Sequence, residues 1–177
     1  MLLESARSCL DRYQPVDPRE RGFRERLLEL LQAPAPFSRH SFEPGHLTAS
    51  VFLVSPERDA VLLILHRKLQ IWVQPGGHIE ADDASLAAAA RRELAEEVGV
   101  LALLDFEPEV FDLDIHTIPA QKAEPAHEHF DVRFCYQARS REFAASSEVA
   151  DARWVALSSI EQLASDASVL RAARKLL

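Results

Sequence analysis

Glu93, Glu96 and Glu97 fall within a stretch, Leu86 to Val98, whose apolar residues recur at helical spacing. On a helix, separations of three and four place the acids on adjoining parts of one face. Leu86, Ala90, Leu94 and Val98, each four apart, form the neighbouring stripe that anchors such a helix to a core. The carboxylates then stand at the core's edge. They repel there by about 0.2–0.5 kcal/mol per exposed pair, and by more once partly desolvated. A divalent cation would reverse that sign, and hard oxygen ligands suit Mg²⁺ or Mn²⁺ bridged to substrate phosphates. The competing reading is a solvated face, with Arg91 and Arg92 as ordinary ion-pair partners. Ser85 is placed to cap the helix, its hydroxyl accepting from an orphan backbone N–H.

A second constellation lies at His127-Glu128-His129-Phe130-Asp131-Val132-Arg133-Phe134. Strand alternation puts His127, His129, Asp131 and Arg133 on one face and the apolar residues on the other. Asp112, Asp114 and His116 alternate with Phe111, Leu113 and Ile115 in the same way. Two such strands offer polar groups to a shared cleft, or to solvent alone. The gathering of His66, His78, His116, His127 and His129 in this region favours the cleft. His127 and His129 can reach one ion, for which neutral imidazole prefers Zn²⁺ or another transition metal, or they can hydrogen-bond phosphate or sugar. Arg133 is the candidate guanidinium for forking onto phosphate oxygens, with Arg67 and Lys68 as further cations. Trp72 could stack a base or pack in the core.

The elements that must hold these groups are legible in outline. Leu2 to Tyr13 and Pro18 to Leu31 read as helices, the second capped by Asp17 with Pro18 in its first turn, and Pro34 and Pro36 stop it. His46 to Val54 and Ala60 to His66 read as strands around the turn at Ser55-Pro56-Glu57-Arg58-Asp59. Further strands follow at Ile71 to Val73, Glu109 to Ile118, Glu128 to Ala138 and Arg153 to Ala156, and a closing helix starts near Ser158. With 177 residues, 47% of them hydrophobic, the chain suits one main domain with a real core. A net charge of -8 without a basic stripe argues against nucleic acid as a partner. The absence of an apolar run long enough for a bilayer argues against a membrane span. Cys9 and Cys135, far apart, form no disulfide framework, which fits a reducing cytoplasm.

Arg92-Glu93-Leu94-Ala95-Glu96-Glu97-Val98-Gly99-Val100, preceded by Pro75-Gly76-Gly77, resembles the signature of the Nudix hydrolases, G-x5-E-x7-R-E-U-x-E-E-x-G-U with U aliphatic. The second half matches without a gap. The first is one residue longer, so that Asp83 or Ala84 occupies the place of the first Glu, with Asp83 the stand-in that braces the loop against Arg92. The resemblance spans roughly His46 to Leu163. It implies an α/β/α sandwich with a mixed sheet over residues 41–177, while the helical extension over residues 1–40 lies outside it and is read as an N-terminal decoration or dimer element. It implies metal-dependent hydrolysis of a diphosphate linkage, with Gly76 (through its carbonyl), Glu93, Glu96 and Glu97 as ligands of Mg²⁺ or Mn²⁺. Glu93 and Glu148 are the candidate general bases, and Arg92 completes the catalytic set. The substrate is expected to be a small phosphorylated molecule, and His116, His127, His129, Arg67 and Arg133 are the residues expected to bind it. Ile115 to Ile118 carry neither the proline nor the tyrosine that flags particular substrate subclasses. A regulatory module without turnover and an isopentenyl-diphosphate isomerase, which would lean on Cys135, are the rival readings.

Overall fold

The computed structural model describes residues 1–67, 70–104, 109–121 and 124–177. Helices α1 (Leu2–Arg12) and α2 (Pro18–Leu30) lead into strands β1 (Gly45–Val54), β2 (Ala60–Leu65), β3 (Trp72–Val73) and β4 (Gly76–His78). Helix α3 (Leu86–Val98) follows, then β5 (Val110–Ile118), β6 (His127–Gln137), β7 (Asp151–Ala156) and α4 (Ala167–Ala173). Strand β1 is the spine of one mixed sheet. It runs parallel to β6 from Gly45 opposite Glu128 to Val54 opposite Gln137, and antiparallel to β4 and β2 along its other edge. β5 pairs antiparallel with β6, while β3 and β7 flank β2.

Alternation along these strands separates two cores. On one face Leu47, Ala49, Val51, Phe130 and Val132 join Leu86, Leu94 and Val98 of α3. On the other, Phe52, Val54, Val61 and Leu63 meet Ile160 and the α4 residues Val169 and Ala172. Helices therefore cover both faces of the sheet, giving the α/β/α sandwich expected from the sequence. The anchoring stripe of α3, Leu86, Ala90, Leu94 and Val98, is buried throughout. Ser85 caps α3 by accepting from Ala88 N–H at 3.1 Å.

The leading helices belong to the same core as the sheet, through Ala6, Leu10, Leu27 and Leu30. Asp17 caps α2 in a reciprocal capping box with Glu20. Glu20 is itself fully buried, pairs with Arg171 at 3.2 Å and with Lys175, and accepts from Leu113 N–H at 3.4 Å. One carboxylate thus ties the leading segment to β5 and to the last residues of the chain.

The closing helix expected from Ser158 is broken in two. A 3-10 segment, Leu157–Gln162, ends before Ala164, whose carbonyl accepts from Trp72 N–H at 3.0 Å. Ser165 bridges β3, and Asp166 caps α4 afresh by accepting from Ser168 and Val169 N–H. Pairing with Trp72 thus outcompetes continued helix. Trp72 is buried with the Arg153 guanidinium 4.1 Å above its ring, the packing role rather than a stacking platform. Among the described residues, no helix is long and apolar enough to cross a membrane.

Candidate active site

Helix α3 brings its acids against β4. A Cβ on Gly77 would lie 2.7 Å from the Glu93 carboxylate carbon, so a side chain there would displace that carboxylate. The Gly76 N–H donates to Glu97 Oε2 at 2.9 Å. Arg92 organises the rest. It donates to both Asp83 carboxylate oxygens, Nε at 3.1 Å and Nη2 at 2.9 Å, and to the His78 carbonyl at 2.8 Å. Its Nη1 joins Glu93 at 3.0 Å and Glu96 at 3.1 Å. Asp83 also accepts from Glu80 N–H at 2.8 Å. The loop's extra residue is therefore absorbed without losing the brace, and Asp83 takes the bracing place.

The electrostatics are strained by design of the packing. Burial, reinforced by the charges of Glu93, Glu148 and Glu96, pushes the Glu97 carboxyl up to about 8 against the opposing Gly76 N–H. Burial likewise raises Glu93, with Arg92 pulling the other way. For Asp83, burial raises the carboxyl, but the Arg92 hydrogen bond, the Glu80 N–H and the Arg92 charge together outweigh it and hold it below the usual carboxylate range. Glu93 and Glu97, two partly desolvated carboxylates of suppressed acidity, fit a hard divalent cation by their chemistry. Glu93, Glu96, Glu97 and the Gly76 carbonyl are the residues that would hold it.

A cleft of about 450 Å³ opens beside these groups, and Gly76, Gly77, Glu93, His78, His116 and His129 are among its walls. A slightly larger cavity of about 500 Å³, lined by Cys9, Tyr13, Phe111 and Lys175, includes none of the acid helix. The chemistry belongs to the cleft. His116 and His129 reach it as anticipated, while His127 is buried beside His129 with ring centroids 5.2 Å apart. Burial and the neighbouring imidazoles of His46, His116 and His78 hold His129 far below its ordinary range. Burial brings His78 down to about 4.

The two arginines expected to bind substrate are each bonded to groups of the chain itself. Arg133 is buried at the cleft's base, with Nε on Asp131 at 2.9 Å and Nη1 on Asp112 at 3.1 Å and on the Ser168 carbonyl at 3.2 Å. Its Nη2 reaches Ser168 Oγ at 2.8 Å and Asp114 at 3.2 Å. Four of its five donors make hydrogen bonds and Nη2 also pairs with the Asp114 charge, so the guanidinium is committed to the chain's own groups. Arg67 is exposed and spends its guanidinium on the carbonyls of Glu148 at 3.1 Å and Ser147 at 2.6 Å. It holds the loop that carries Glu148, an exposed acid whose charge is felt at Glu97. Lys68 lies outside the described residues.

The reading of the sequence missed the polar face of β1. His46, Thr48 and Ser50 alternate with Leu47, Ala49 and Val51, and that alternation was the available signal. Asp131 accepts from Thr48 Oγ1 at 3.1 Å, Ser50 Oγ at 2.8 Å and Gln74 Nε2 at 3.2 Å. These bonds make the cleft floor a closed polar network around Arg133.

The model of the NUDIX domain matches residues 44–175. A hydrolase of the NUDIX family from Clostridium perfringens is similar in structure, with TM-score 0.57 and 26% identity over 78% of this chain and 96% of that one. The NUDIX domain of Shewanella oneidensis NrtR, complexed with ADP ribose, matches with TM-score 0.51 and 26% identity over 73% of this chain and 86% of that one. A C. elegans Ap4A hydrolase binary complex, 17% identical with TM-score 0.52, covers 73% of this chain and 93% of its own and shares the fold. None of the curated proteins compared matches the sequence.

Proposed function

The chain belongs to the NUDIX domain family, hydrolases that cleave phosphoanhydride bonds, and on that premise we propose that it hydrolyses the diphosphate linkage of a nucleoside diphosphate derivative with Mg²⁺ or Mn²⁺. The observation that carries this reading is the closure of α3 on β4, which sets Glu93 against Gly77 and Glu97 on the Gly76 N–H at the cleft wall. The ADP ribose held by the NrtR domain supports a nucleoside diphosphate as the substrate class.

Glu93, Glu96, Glu97 and the Gly76 carbonyl would hold the ion. When bound, it neutralises charge on the diphosphate and lowers the pKa of water. Glu93 is the one of these acids that lines the cleft, and burial has moved its carboxyl toward neutrality, where a general base is most effective. It takes the proton from the attacking water. Glu148, the second candidate base, is distinguished by Glu148→Gln. Arg92, committed to Asp83, Glu93 and Glu96, is a positioning residue rather than a proton carrier. With Arg133 and Arg67 bonded within the chain, His116 and His129 are the other expected binding residues, among those described, that line the cleft as candidates for substrate contact.

The test is product release from ADP-ribose, dinucleoside polyphosphates, sugar nucleotides and nucleoside triphosphates, in Mg²⁺ and in Mn²⁺, for the native chain and Glu97→Gln. Metal-dependent release that falls to background in the variant is expected. Metal binding with no product across the panel would sink the enzyme reading and favour a binding module.

A further inference from the structure

Three imidazoles meet at one end of the polar sheet face, beside the acid helix but separate from its carboxylates. His46 on β1 is the register partner of His129 on β6, and His127 lies two residues before it on the same strand. Glycine at the start of β1 lets that register begin beside Glu128. A Cβ on Gly45, whose φ is 156°, would fall 1.8 Å from the Glu128 carbonyl oxygen. Ring centroids are 4.7 Å apart for His46 and His129, 5.2 Å for His46 and His127, and 5.2 Å for His127 and His129. One nitrogen from each ring lies within 4.8 Å of the other two, and among the described residues this is the one set of three or more His, Cys, Asp or Glu so placed.

The hydrogen bonds fix which nitrogens of His46 and His127 keep a free lone pair. His46 Nδ1 lies 3.0 Å from the Ser41 carbonyl and His127 Nδ1 lies 2.9 Å from the Pro125 carbonyl. A carbonyl only accepts, so each Nδ1 carries the proton and each Nε2 is left with its lone pair. Backbone carbonyls holding Nδ1–H are the arrangement that orients histidines toward a metal. His46 is fully buried, and its Nε2 has no hydrogen-bond partner among the described residues. A buried nitrogen lone pair without a donor needs another partner, and a cation is one that three imidazoles select. Phe42 packs edge-on against His127 at 5.0 Å and shields that side.

We propose that His46, His127 and His129 form a binding site for a borderline transition-metal ion of the Zn²⁺ class, distinct from the oxygen-ligand set on α3. Three imidazoles leave a fourth position open in a tetrahedral ion. His129 also lines the cleft, so the ion would border the substrate space. The strands, not loops, supply all three ligands, which keeps the site rigid.

Co²⁺ serves as the spectroscopic probe, titrated into the metal-stripped full chain in excess Mg²⁺ and without substrate. This keeps the outcome separate from whether the chain turns substrate over. One equivalent with the intense visible bands of a low-coordinate site, displaced by Zn²⁺, is expected. His127→Ala and His129→Ala should each weaken binding by more than about 100-fold, beyond what an outer-shell change produces, with unchanged circular dichroism. Glu97→Gln should bind as the native chain does. Absence of such bands in the native chain would overturn the site whatever the variants do. So would bands that survive His127→Ala and disappear in Glu97→Gln.

Discussion

Replacing Glu97 with Gln should remove a pH-dependent instability of the metal-free protein. In the folded chain, burial and the charges of Glu93, Glu148 and Glu96 hold the carboxyl at about 8, whereas its ordinary value is 4.5. Between those values the folded state keeps a proton that the unfolded state has released. Stability therefore falls as pH rises, by up to about 1.4 kcal/mol per pH unit. The contribution is fully present below the unfolded value and gone above the folded one. Across the whole window the loss is on the order of 5 kcal/mol as an upper bound. Solvent access and relaxation around the partly exposed carboxyl reduce it to about 2–3 kcal/mol. Gln preserves shape and can still accept from Gly76 N–H, but has no proton to lose. Urea unfolding of both proteins in EDTA, from about pH 5 to about pH 9, reads the difference directly. The gap should widen in favour of Glu97→Gln as pH rises and level off near pH 8. Saturating Mg²⁺ should flatten the native curve and leave the variant unchanged. Parallel curves in EDTA would refute the argument that burial among like charges governs this carboxyl.

Asp83→Asn removes the charge that Arg92 grips at 2.9 and 3.1 Å, and should lower kcat about tenfold or more with KM little changed, because misplacement of the acids affects the reacting geometry. Steady-state kinetics checks this, and an equal change in both parameters would point to substrate binding instead. Glu20→Gln removes one of the two buried carboxylates that face Lys175 and Arg171, the other being Asp112, and should cost about 2–3 kcal/mol in guanidinium unfolding. A loss under about 1 kcal/mol would mean the leading helices are tied down by apolar contacts alone. Cys135→Ser should leave hydrolysis unchanged, since burial pushes that thiol up to about 11 and it is not a nucleophile at neutral pH. A large loss in the same assay would restore the isomerase reading.

Helix α3 was legible because every level of the sequence agreed: a Ser cap, an apolar stripe at spacing four, and acids confined to one side. The Asp83 brace was legible as well, since a carboxylate one residue displaced in a loop can still meet a long guanidinium. The closing helix was misread because a backbone pairing to Trp72, more than ninety residues away, has no local signature. The fate of Arg133 was hidden for a related reason. Alternation placed it correctly on the polar face beside Asp112, Asp114 and Asp131, but alternation says nothing about which strands stack those charges together. Once β5, β6 and β1 are adjacent, the three aspartates consume the guanidinium before any substrate can, and a residue that looked like a phosphate fork becomes part of the floor. The same pairing works in the opposite direction for His46. Its alternation with Leu47 ahead of Thr48 and Ser50 marks a polar strand face but not the strand that this face meets. The parallel register of β1 with β6 sets it opposite His129, and a pair of histidines two residues apart becomes a set of three. Adjacency in the sheet, which is a long-range property, thus ties up the Arg133 guanidinium and completes a cluster of three imidazoles.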